Sequence, residues 1–238
     1  MYLLETDVRD IPIAGIQGMT TIDYPGHVSA VFFTAGCPWH CRYCHNGRLK
    51  NCSPEDIIPH EDIMSFLTSR SGYLDSIVIS GGEPSLHKTL PGLLAMIRTF
   101  GYKTALHTNG MNPDMIRKII THGLVDYIAL DIKGPPRAYG RITQNTDACK
   151  AVSHSIKHIL SSGIDYEFRT TYHPLVLSEA DLERTIVILA GLGCRKYFIQ
   201  RFSKDGVVDE ELTGWDVTEI PRDIVRLGEK LIPEFGIR

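Results

Sequence analysis

The sequence predicts a curved, incompletely closed (β/α)6 barrel of parallel strands, similar to a TIM barrel that lacks its last units. Short apolar runs typical of buried strands recur six times along the chain, and a helical pattern follows each of them. Strict alternation of strand and helix implies a parallel sheet with right-handed crossovers. Six units are fewer than the eight that close a full barrel. An open doubly wound sheet is the alternative architecture.

The predicted strands are short, apolar or alternating, and several are rich in β-branched or aromatic residues. They cover Val28–Thr34, Leu74–Ser80, Lys103–Thr108, Val125–Asp131, Ile164–Thr171 and Lys196–Phe202. The predicted helices lie between and after these strands and cover Glu61–Arg70, Leu90–Phe100, Pro113–His122, Cys149–Leu160, Glu179–Gly191 and Val217–Leu231. Capping residues support three of the helices: Asn112 precedes a proline, Ser178 precedes an acidic first turn, and Gly123 follows its helix.

Composition is that of an ordinary globular protein. The 238 residues are 43% hydrophobic and 22% charged, which is enough to bury a substantial core. We expect one domain over residues 1–238, with a core at about 13–202 and a closing helix and tail at 203–238. A net charge of -3 argues against a nucleic-acid partner, and no apolar run approaches the roughly 18 residues of a membrane span. The first residues lack the features of an export signal, so a cytoplasmic location is expected.

Polar, reactive or glycine-rich residues follow every predicted strand. In parallel α/β architectures the active site lies at the carboxyl ends of the strands. These residues should therefore meet at one rim, which favours an enzyme. In chain order they are the loop around Cys37, Cys41 and Cys44, then Ser80–Pro84, Thr108–Gly110, Asp131–Gly134, Arg169 and Gln200–Phe202.

The three cysteines carry the most specific signal. Spacings of three and two residues place the sulfurs of Cys37, Cys41 and Cys44 around one point. Three thiolates are one short of a closed zinc or cubane site, so one coordination position stays open for a substrate. The alternative is a zinc knuckle completed by His45 or His40. Soft thiolates also select iron–sulfur clusters, and no second ligand pair exists, so a cluster is favoured over zinc.

The remaining strand-end groups each have a structural alternative. Gly81 and Gly82 fit a flexible turn, or a backbone that approaches a small molecule with Glu83 as an acceptor. Asp131 and Lys133 fit an exposed ion pair, or two groups that point together toward the rim. Tyr43 is either a packing residue or a flat partner for a ring. Cys52 is close enough in sequence to be considered as a fourth ligand.

These motifs together resemble the radical S-adenosylmethionine superfamily. The C-x3-C-x2-C loop with Tyr43 before its last cysteine is similar to the first signature of that superfamily, and Gly81–Pro84 is similar to the second. The resemblance extends from about residue 13 to residue 202. Tyr43–Asn46 and Gly15–Gly18 are similar to glycyl-radical-enzyme activases. The Ile22–Gly26 segment most resembles activating proteins of the anaerobic ribonucleoside-triphosphate reductase.

The resemblance implies a set of ligands. Cys37, Cys41 and Cys44 would hold three irons of a [4Fe–4S] cluster, and S-adenosylmethionine would chelate the fourth iron. Tyr43 would lie against the adenine. Further residues are expected in the cofactor site, because the resemblance implies them or because they flank the cysteines. They are His45, Gly81, Gly82, Glu83, Asp131, Lys133, Arg169 and Gln200.

The resemblance also implies a reaction and partners. Reductive cleavage would give methionine and a 5′-deoxyadenosyl radical, which would take a hydrogen atom from a glycine of the anaerobic ribonucleotide reductase large subunit. A low-potential donor such as flavodoxin or ferredoxin would supply the electron. The alternatives are an activase for another glycyl radical enzyme, of the pyruvate formate-lyase type, or a carboxydeazaguanine-type synthase. A non-enzymatic zinc module is the third alternative.

Two departures from the family pattern bear on the site. His107 stands where some relatives carry an aspartate that helps to bind a monovalent cation. The cysteine-rich insert that holds extra clusters in some activases is missing, since Cys52 is the one cysteine between Asn46 and Ile77. A single cluster is therefore expected.

Overall fold

The computed structural model describes residues 11–215 and 219–238. Its eight strands form one sheet in which the spatial order follows the chain order. The first strand pairs antiparallel with the second, and all later pairs are parallel. The strands are β1 (Ile13–Thr20), β2 (Ser29–Thr34), β3 (Ser76–Gly81), β4 (Lys103–Thr108), β5 (Tyr127–Asp131), β6 (Asp165–Tyr172), β7 (Lys196–Arg201) and β8 (Glu234–Ile237).

The helices alternate with the parallel strands. Short 3-10 turns occur at 47–51, 54–56 and 84–86. The α-helices are α1 (His60–Arg70), α2 (Leu90–Thr99), α3 (Pro113–Thr121), α4 (Pro136–Thr143), α5 (Ala148–Ser162), α6 (Glu179–Gly191), α7 (Glu210–Thr213) and α8 (Arg222–Leu231). Within residues 11–215 and 219–238, no helix combines the length and the apolar character needed to cross a bilayer.

The sequential strand order confirms the incomplete barrel and shows that the doubly wound alternative is wrong. A doubly wound sheet reverses its strand order at a switch point, and no reversal occurs in this sheet. All six predicted strands and five of the six predicted helices are found to within two residues at each end. In the described part of the chain, β1 and β8 each pair on one side and do not meet, so the barrel stays open between them.

Four elements and one boundary differ from the sequence prediction. Strand β1 contains Gly15 and Gly18, and its half-buried pattern has neither the apolar run nor the clean alternation of the other strands. Strand β8 and helix α7 have four residues each, which is too short for a periodic signal. Helix α4 begins directly after Pro135 and was also missed. The predicted helix at 217–231 begins at Arg222, because Pro221 is its N-cap; residues 217 and 218 lie outside the described residues.

Strands β2 to β5 separate two apolar regions. Ala30 and Phe32 belong to the large core between the sheet and the helices, whereas Val31 and Phe33 face the barrel interior. The helices cover one face because all the crossovers have the same hand. Burial of a side chain such as Phe32 contributes about 1.5–3 kcal/mol to folding.

The lower part of the barrel interior is a layer that we call the amino-end layer: Val31, Val78, Ala105 and Tyr127. These residues are neighbours in the strand register, and all are buried. Tyr24, from the loop between β1 and β2, stacks on Tyr127 with ring centroids 4.8 Å apart. The loop that carries Tyr24 therefore packs inside the barrel against the amino-end layer.

Three local signals that predicted helix ends are confirmed. The Asn112 side chain accepts a hydrogen bond from the backbone N–H of Met115 at 3.1 Å. Ser178 and Asp181 form a reciprocal capping box at the start of α6. Gly123 follows α3 with a φ of +61°, a conformation that glycine adopts without strain. A side-chain cap of this kind stabilises a helix by about 1 kcal/mol.

Candidate active site

A cavity of about 240 Å³ opens at the carboxyl ends of β2 to β7. Every residue that was expected in the cofactor site lines this cavity. They are Cys37, Cys41, Tyr43, Cys44, His45, Gly81, Gly82, Glu83, Asp131, Lys133, Arg169 and Gln200. Four further lining residues were expected at the rim without a cofactor role: Ser80, Thr108, Asn109 and Arg201. The remaining lining residues were not expected to bind the cofactors: Trp39, Asn46, Lys50, His107 and Thr171.

The cysteine loop leaves β2 and is held by backbone hydrogen bonds. The N–H of Gly36 donates to the Leu49 carbonyl at 2.7 Å, and the N–H of Cys44 donates to the Cys41 carbonyl at 3.2 Å. All three thiols are free and half-buried. Burial raises the pKa of Cys37 to about 11, against the opposing effect of the Trp39 backbone N–H. Burial also raises the pKa of Cys41, and Lys133 opposes it.

Of the side chains considered for a zinc site, His45 lines the cavity with the three cysteines. In the described part of the chain, no three His, Cys, Asp or Glu side chains are grouped closely enough to hold one metal ion. His40 is exposed and does not line the cavity. Cys52 also lies outside the cavity, with its thiol 3.7 Å from the Arg48 carbonyl. Three soft thiols around one cavity fit a cluster that is larger than a single ion.

Gly81 and Gly82 are required by close packing, so the flexible-turn interpretation is wrong. A Cβ on Gly81 would lie 2.3 Å from the Thr34 nitrogen, and one on Gly82 would lie 2.1 Å from the Gly36 oxygen. Gly81 also has a φ of +116°. The N–H groups of Gly82 and Glu83 donate to the carbonyls of Thr34 and Gly36, each at 2.8 Å. The turn after β3 thus supports the backbone just before Cys37.

Glu83 is fully buried and joins the loops that follow β3 and β4. Its Oε1 accepts hydrogen bonds from the Thr108 hydroxyl at 2.6 Å and from the Ser85 N–H at 2.9 Å. Its Oε2 accepts from the Asn109 N–H at 2.7 Å. Burial raises the pKa of Glu83, and these donors oppose the rise. The expected role of Glu83 as an acceptor toward a small molecule remains a prediction.

Asp131 is the centre of a buried ionic group. Its carboxylate lies 3.1 Å from Lys133 Nζ and 3.1 Å from Arg169 Nη2. Burial opposes the ionisation of Asp131, but Lys133 and Arg169 outweigh it and hold the pKa of this carboxyl below its ordinary value. The Lys133 and Arg169 side chains are each 12% exposed, so the interpretation as an ordinary exposed pair is wrong. Lys133 Nζ also lies 5.5 Å from the centroid of the Tyr43 ring.

His107 is a neutral residue of the cavity. Its Nε2 lies 2.7 Å from the Asp23 carbonyl oxygen. A carbonyl only accepts hydrogen bonds, so Nε2 carries the proton and Nδ1 keeps its lone pair. Burial and the nearby Arg169 lower the pKa of His107 to about 4. Aspartate at this position in some relatives would be anionic, whereas His107 adds no negative charge.

A segment from the tail covers the cysteine loop. We call residues 203–215 the strap. Arg42, between two of the cysteines, forms an ion pair with Asp209 at 2.6 Å and a second with Glu211. A Cβ on Gly206 would lie 2.2 Å from the His45 carbonyl oxygen, so the two backbones touch. The His45 ring packs edge-on against Phe202, just before the strap.

Two asparagines of the site were given no role from the sequence, although Asn109 was expected at the rim. Asn46 follows the cysteine motif, and its side-chain amide donates to the Gly81 carbonyl at 2.9 Å. Asn109 follows β4, and its amide lies 3.8 Å from the Cys37 sulfur. Their positions directly after a motif and a strand were visible, but an Asn-Gly pair is also a common turn.

Comparison with known proteins places these residues in a family context. Residues 31–187 match the family described as the Radical SAM superfamily. A Methanocaldococcus jannaschii protein named "Putative glycyl-radical enzyme activating enzyme MJ1227" is 31% identical over 95% of each chain. The 7-carboxy-7-deazaguanine synthase of Bacillus cereus is 28% identical over 59% of this chain and 60% of its own.

A solved structure of Streptococcus suis SuiB bound to S-adenosylmethionine superimposes with a TM-score of 0.65 at 14% identity. The match covers 87% of this chain, which spans about half of SuiB, 49% of its length. At this identity the likeness concerns the fold, and it agrees with an incomplete parallel barrel.

Proposed function

Because the chain belongs to the radical SAM superfamily and resembles an activating enzyme along almost its whole length, we propose that it activates the anaerobic ribonucleoside-triphosphate reductase. It is a radical SAM activase of glycyl-radical enzymes, and its cofactors are a [4Fe–4S] cluster and S-adenosylmethionine. The observation that carries the proposal is the cavity that three free thiols share with a buried ionic group.

The donor set fits the cofactors by its chemistry. Cys37, Cys41 and Cys44 would hold the cluster, since half-buried soft thiolates are its ordinary ligands. The bound pair supplies a strong one-electron reductant and a 5′-deoxyadenosyl radical that takes a hydrogen atom from the α-carbon of a partner's glycine.

The other residues of the cavity orient an amino acid and a nucleoside. Lys133 and Arg169 are buried cations that would offset a substrate carboxylate, and Asp131 keeps both of them charged. Tyr43 presents a buried ring beside them, which suits a flat base. Gly81 and Gly82 line the cavity without a side chain. We assign Gln200 and His45 to the rim of the same pocket.

The proposed partner is the large subunit of the anaerobic ribonucleotide reductase, and the proposed electron donor is a flavodoxin or a ferredoxin. The support for this particular reductase is the Ile22–Gly26 segment, which resembles the reductase-activating proteins. In the fold this segment fills the barrel interior beneath the cavity through Tyr24 and through the Asp23 carbonyl. The gap between β1 and β8 leaves a side on which a protein loop could enter.

The chemistry is tested on protein reconstituted without oxygen. We expect about four irons per chain and formation of 5′-deoxyadenosine from S-adenosylmethionine with dithionite. Cys41→Ala should reduce the product to the level of a control without protein. Cys52→Ala is the matched control, because Cys52 lies outside the cavity, and it should keep both iron and product. Retention of product in the Cys41 variant would show that the proposed site is wrong.

The partner is tested by electron paramagnetic resonance. Candidate glycyl radical enzymes are added one at a time, and the glycyl radical signal is recorded. The proposal expects the signal with the anaerobic ribonucleotide reductase and none with pyruvate formate-lyase. The reverse result would assign the chain to the other activase. Formation of 5′-deoxyadenosine with no glycyl radical on any candidate would favour a small-molecule enzyme, the class of the Bacillus cereus relative.

A further inference from the structure

The Asn109 side chain points its amide group at a sulfur of the cysteine loop. Asn109 is 8% exposed and follows β4 directly. Its Oδ1 accepts a hydrogen bond from the Met111 N–H at 2.9 Å, and its Nδ2 lies 3.8 Å from Cys37 Sγ. A backbone N–H can only donate, so it fixes which end of the amide is oxygen. The N–H2 end therefore faces the sulfur.

The turn that carries Asn109 is held in place by the buried Glu83. The carboxylate accepts from the Asn109 N–H at 2.7 Å and from the Thr108 hydroxyl at 2.6 Å. The Gly110 N–H also donates to Thr108 Oγ1 at 3.0 Å, and Gly110 has a φ of +77°. The amide is thus positioned by four hydrogen bonds that do not involve the sulfur.

The three cysteines differ in what surrounds them. Cys37 has the Asn109 amide and the Trp39 backbone N–H directed at its sulfur. In the described residues, no side-chain amide is hydrogen-bonded to the sulfur of Cys41 or Cys44. Cys41 is influenced by the charges of Lys133 and Lys50. Hydrogen-bond donors are therefore concentrated on one of the three thiols.

A donor aimed at a cluster sulfur has a defined electrostatic effect. Reduction adds negative charge to an iron–sulfur cluster, and hydrogen bonds to its sulfurs are among the factors that set its potential. A neutral amide dipole in a half-buried site stabilises the more negative state and thus raises the potential. We propose that Asn109 is a positioning residue that raises the reduction potential of the cluster through Cys37. This inference rests on the proposed function, since it requires a cluster on Cys37.

The test is a redox titration of the reconstituted protein, monitored by electron paramagnetic resonance without S-adenosylmethionine or partner. At the midpoint potential of the wild type, Asn109→Ala should lower the ratio of reduced to oxidised cluster about tenfold, which corresponds to a midpoint about 59 mV more negative. Asn112→Ala is the matched control. It removes an asparagine of the same loop that caps α3 and donates to the Ser85 carbonyl at 2.8 Å, and it should change the ratio less than about twofold.

Each outcome decides between the alternatives. If the two variants shift the ratio equally, or Asn109→Ala shifts it less than twofold, the inference is wrong. If Asn109→Ala does not retain four irons, Asn109→Ser is used, because a serine hydroxyl can still accept from the Met111 N–H. Loss of the cluster in both variants would assign Asn109 a structural role and overturn the inference. Absence of a cluster in the wild type would instead contradict the proposed function.

Discussion

Two layers of the barrel interior use the same strands for different purposes. The amino-end layer of Val31, Val78, Ala105 and Tyr127 is apolar and closed by Tyr24. Further along the same strands lie Ser80, His107 and Asp131, with Arg169 beside Asp131, which we call the carboxyl-end layer. Strand alternation decides that both layers face inward. Position along the strand decides whether an inward residue packs or carries charge.

The two layers differ in what stabilises them. Burial of apolar area contributes about 25 cal/mol per Å² in the amino-end layer. In the carboxyl-end layer the desolvation of Asp131 opposes folding, and its attraction to Lys133 and Arg169 offsets that cost. Substitutions in the amino-end layer should therefore mainly lower the free energy of unfolding. Substitutions in the carboxyl-end layer should mainly change its dependence on pH and on ligands. Four experiments test this difference between the layers.

The largest effect is expected from Tyr127→Ala. Tyr127 is fully buried, and its loss leaves a cavity under Tyr24, so the free energy of unfolding should fall by about 3–5 kcal/mol. The measurement is chemical denaturation of the protein without cofactors. Tyr73→Ala is the matched control, because Tyr73 is 79% exposed, and it should change stability by less than about 0.5 kcal/mol. Equal effects of the two variants would contradict the stabilising role of the amino-end layer.

The second effect is a dependence of stability on pH through His107. Its pKa is lowered from 6.5 to about 4 in the folded chain. Between these values the unfolded chain binds a proton that the folded chain does not, so stability falls as pH falls, by up to about 3 kcal/mol in total. His107→Gln keeps a donor for the Asp23 carbonyl and does not titrate. Denaturation from pH 7 to 4.5 should show a shallower loss in the variant, and identical slopes would contradict the prediction.

The third effect concerns the ionic group. Asp131→Asn keeps the shape but leaves two buried cations without their counter-ion. Since the Asp131 side chain is 33% exposed, we expect a loss of about 2 kcal/mol, smaller than for a fully buried pair. The control is Asp114→Asn, whose side chain is 85% exposed beside Arg117. A loss no larger than that of the control would mean that solvent screens the group fully.

The smallest effect is expected at the strap. Arg42 is 38% exposed and Asp209 is 21% exposed, and exposed ion pairs contribute about 0.2–1 kcal/mol. A double-mutant cycle of Arg42→Ala and Asp209→Ala should give a coupling energy in this range, and salt should reduce it. A coupling above about 2 kcal/mol would place this pair with the buried group of Asp131 rather than with surface charges.

Much of the fold could be predicted because the signals are local. Strands β2, β3 and β5 are short, mostly buried runs, and five helices carry a period or a cap of their own. Strand β1 was not predicted, because Gly15 and Gly18 interrupt it and one face remains half-exposed. Strand β8 is defined by its pairing with β7, since four residues after a proline carry little pattern by themselves.

In the site, too, local motifs could be predicted and contacts between distant segments could not. The cysteines and Gly81–Glu83 could be predicted because each motif lies in one short segment. The partners of Glu83 could not, because Thr108 and Asn109 are 25 and 26 residues away in sequence and are brought near by strand register. Asn109 and Cys37 are separated by 72 residues, so their contact exists only in the fold. The pairing of Arg42 with the strap spans 167 residues and was likewise invisible.

The backbone around Gly36 has a consequence for how the protein is matured. The Gly36 N–H is held by the Leu49 carbonyl, and its own carbonyl is held by the Glu83 N–H. Neither bond involves a sulfur or a metal. The backbone at the start of the cysteine loop is therefore held by the polypeptide, so less ordering entropy should remain to be lost there when iron is delivered. Cluster assembly should therefore require less folding of the polypeptide than metal binding to a zinc finger does.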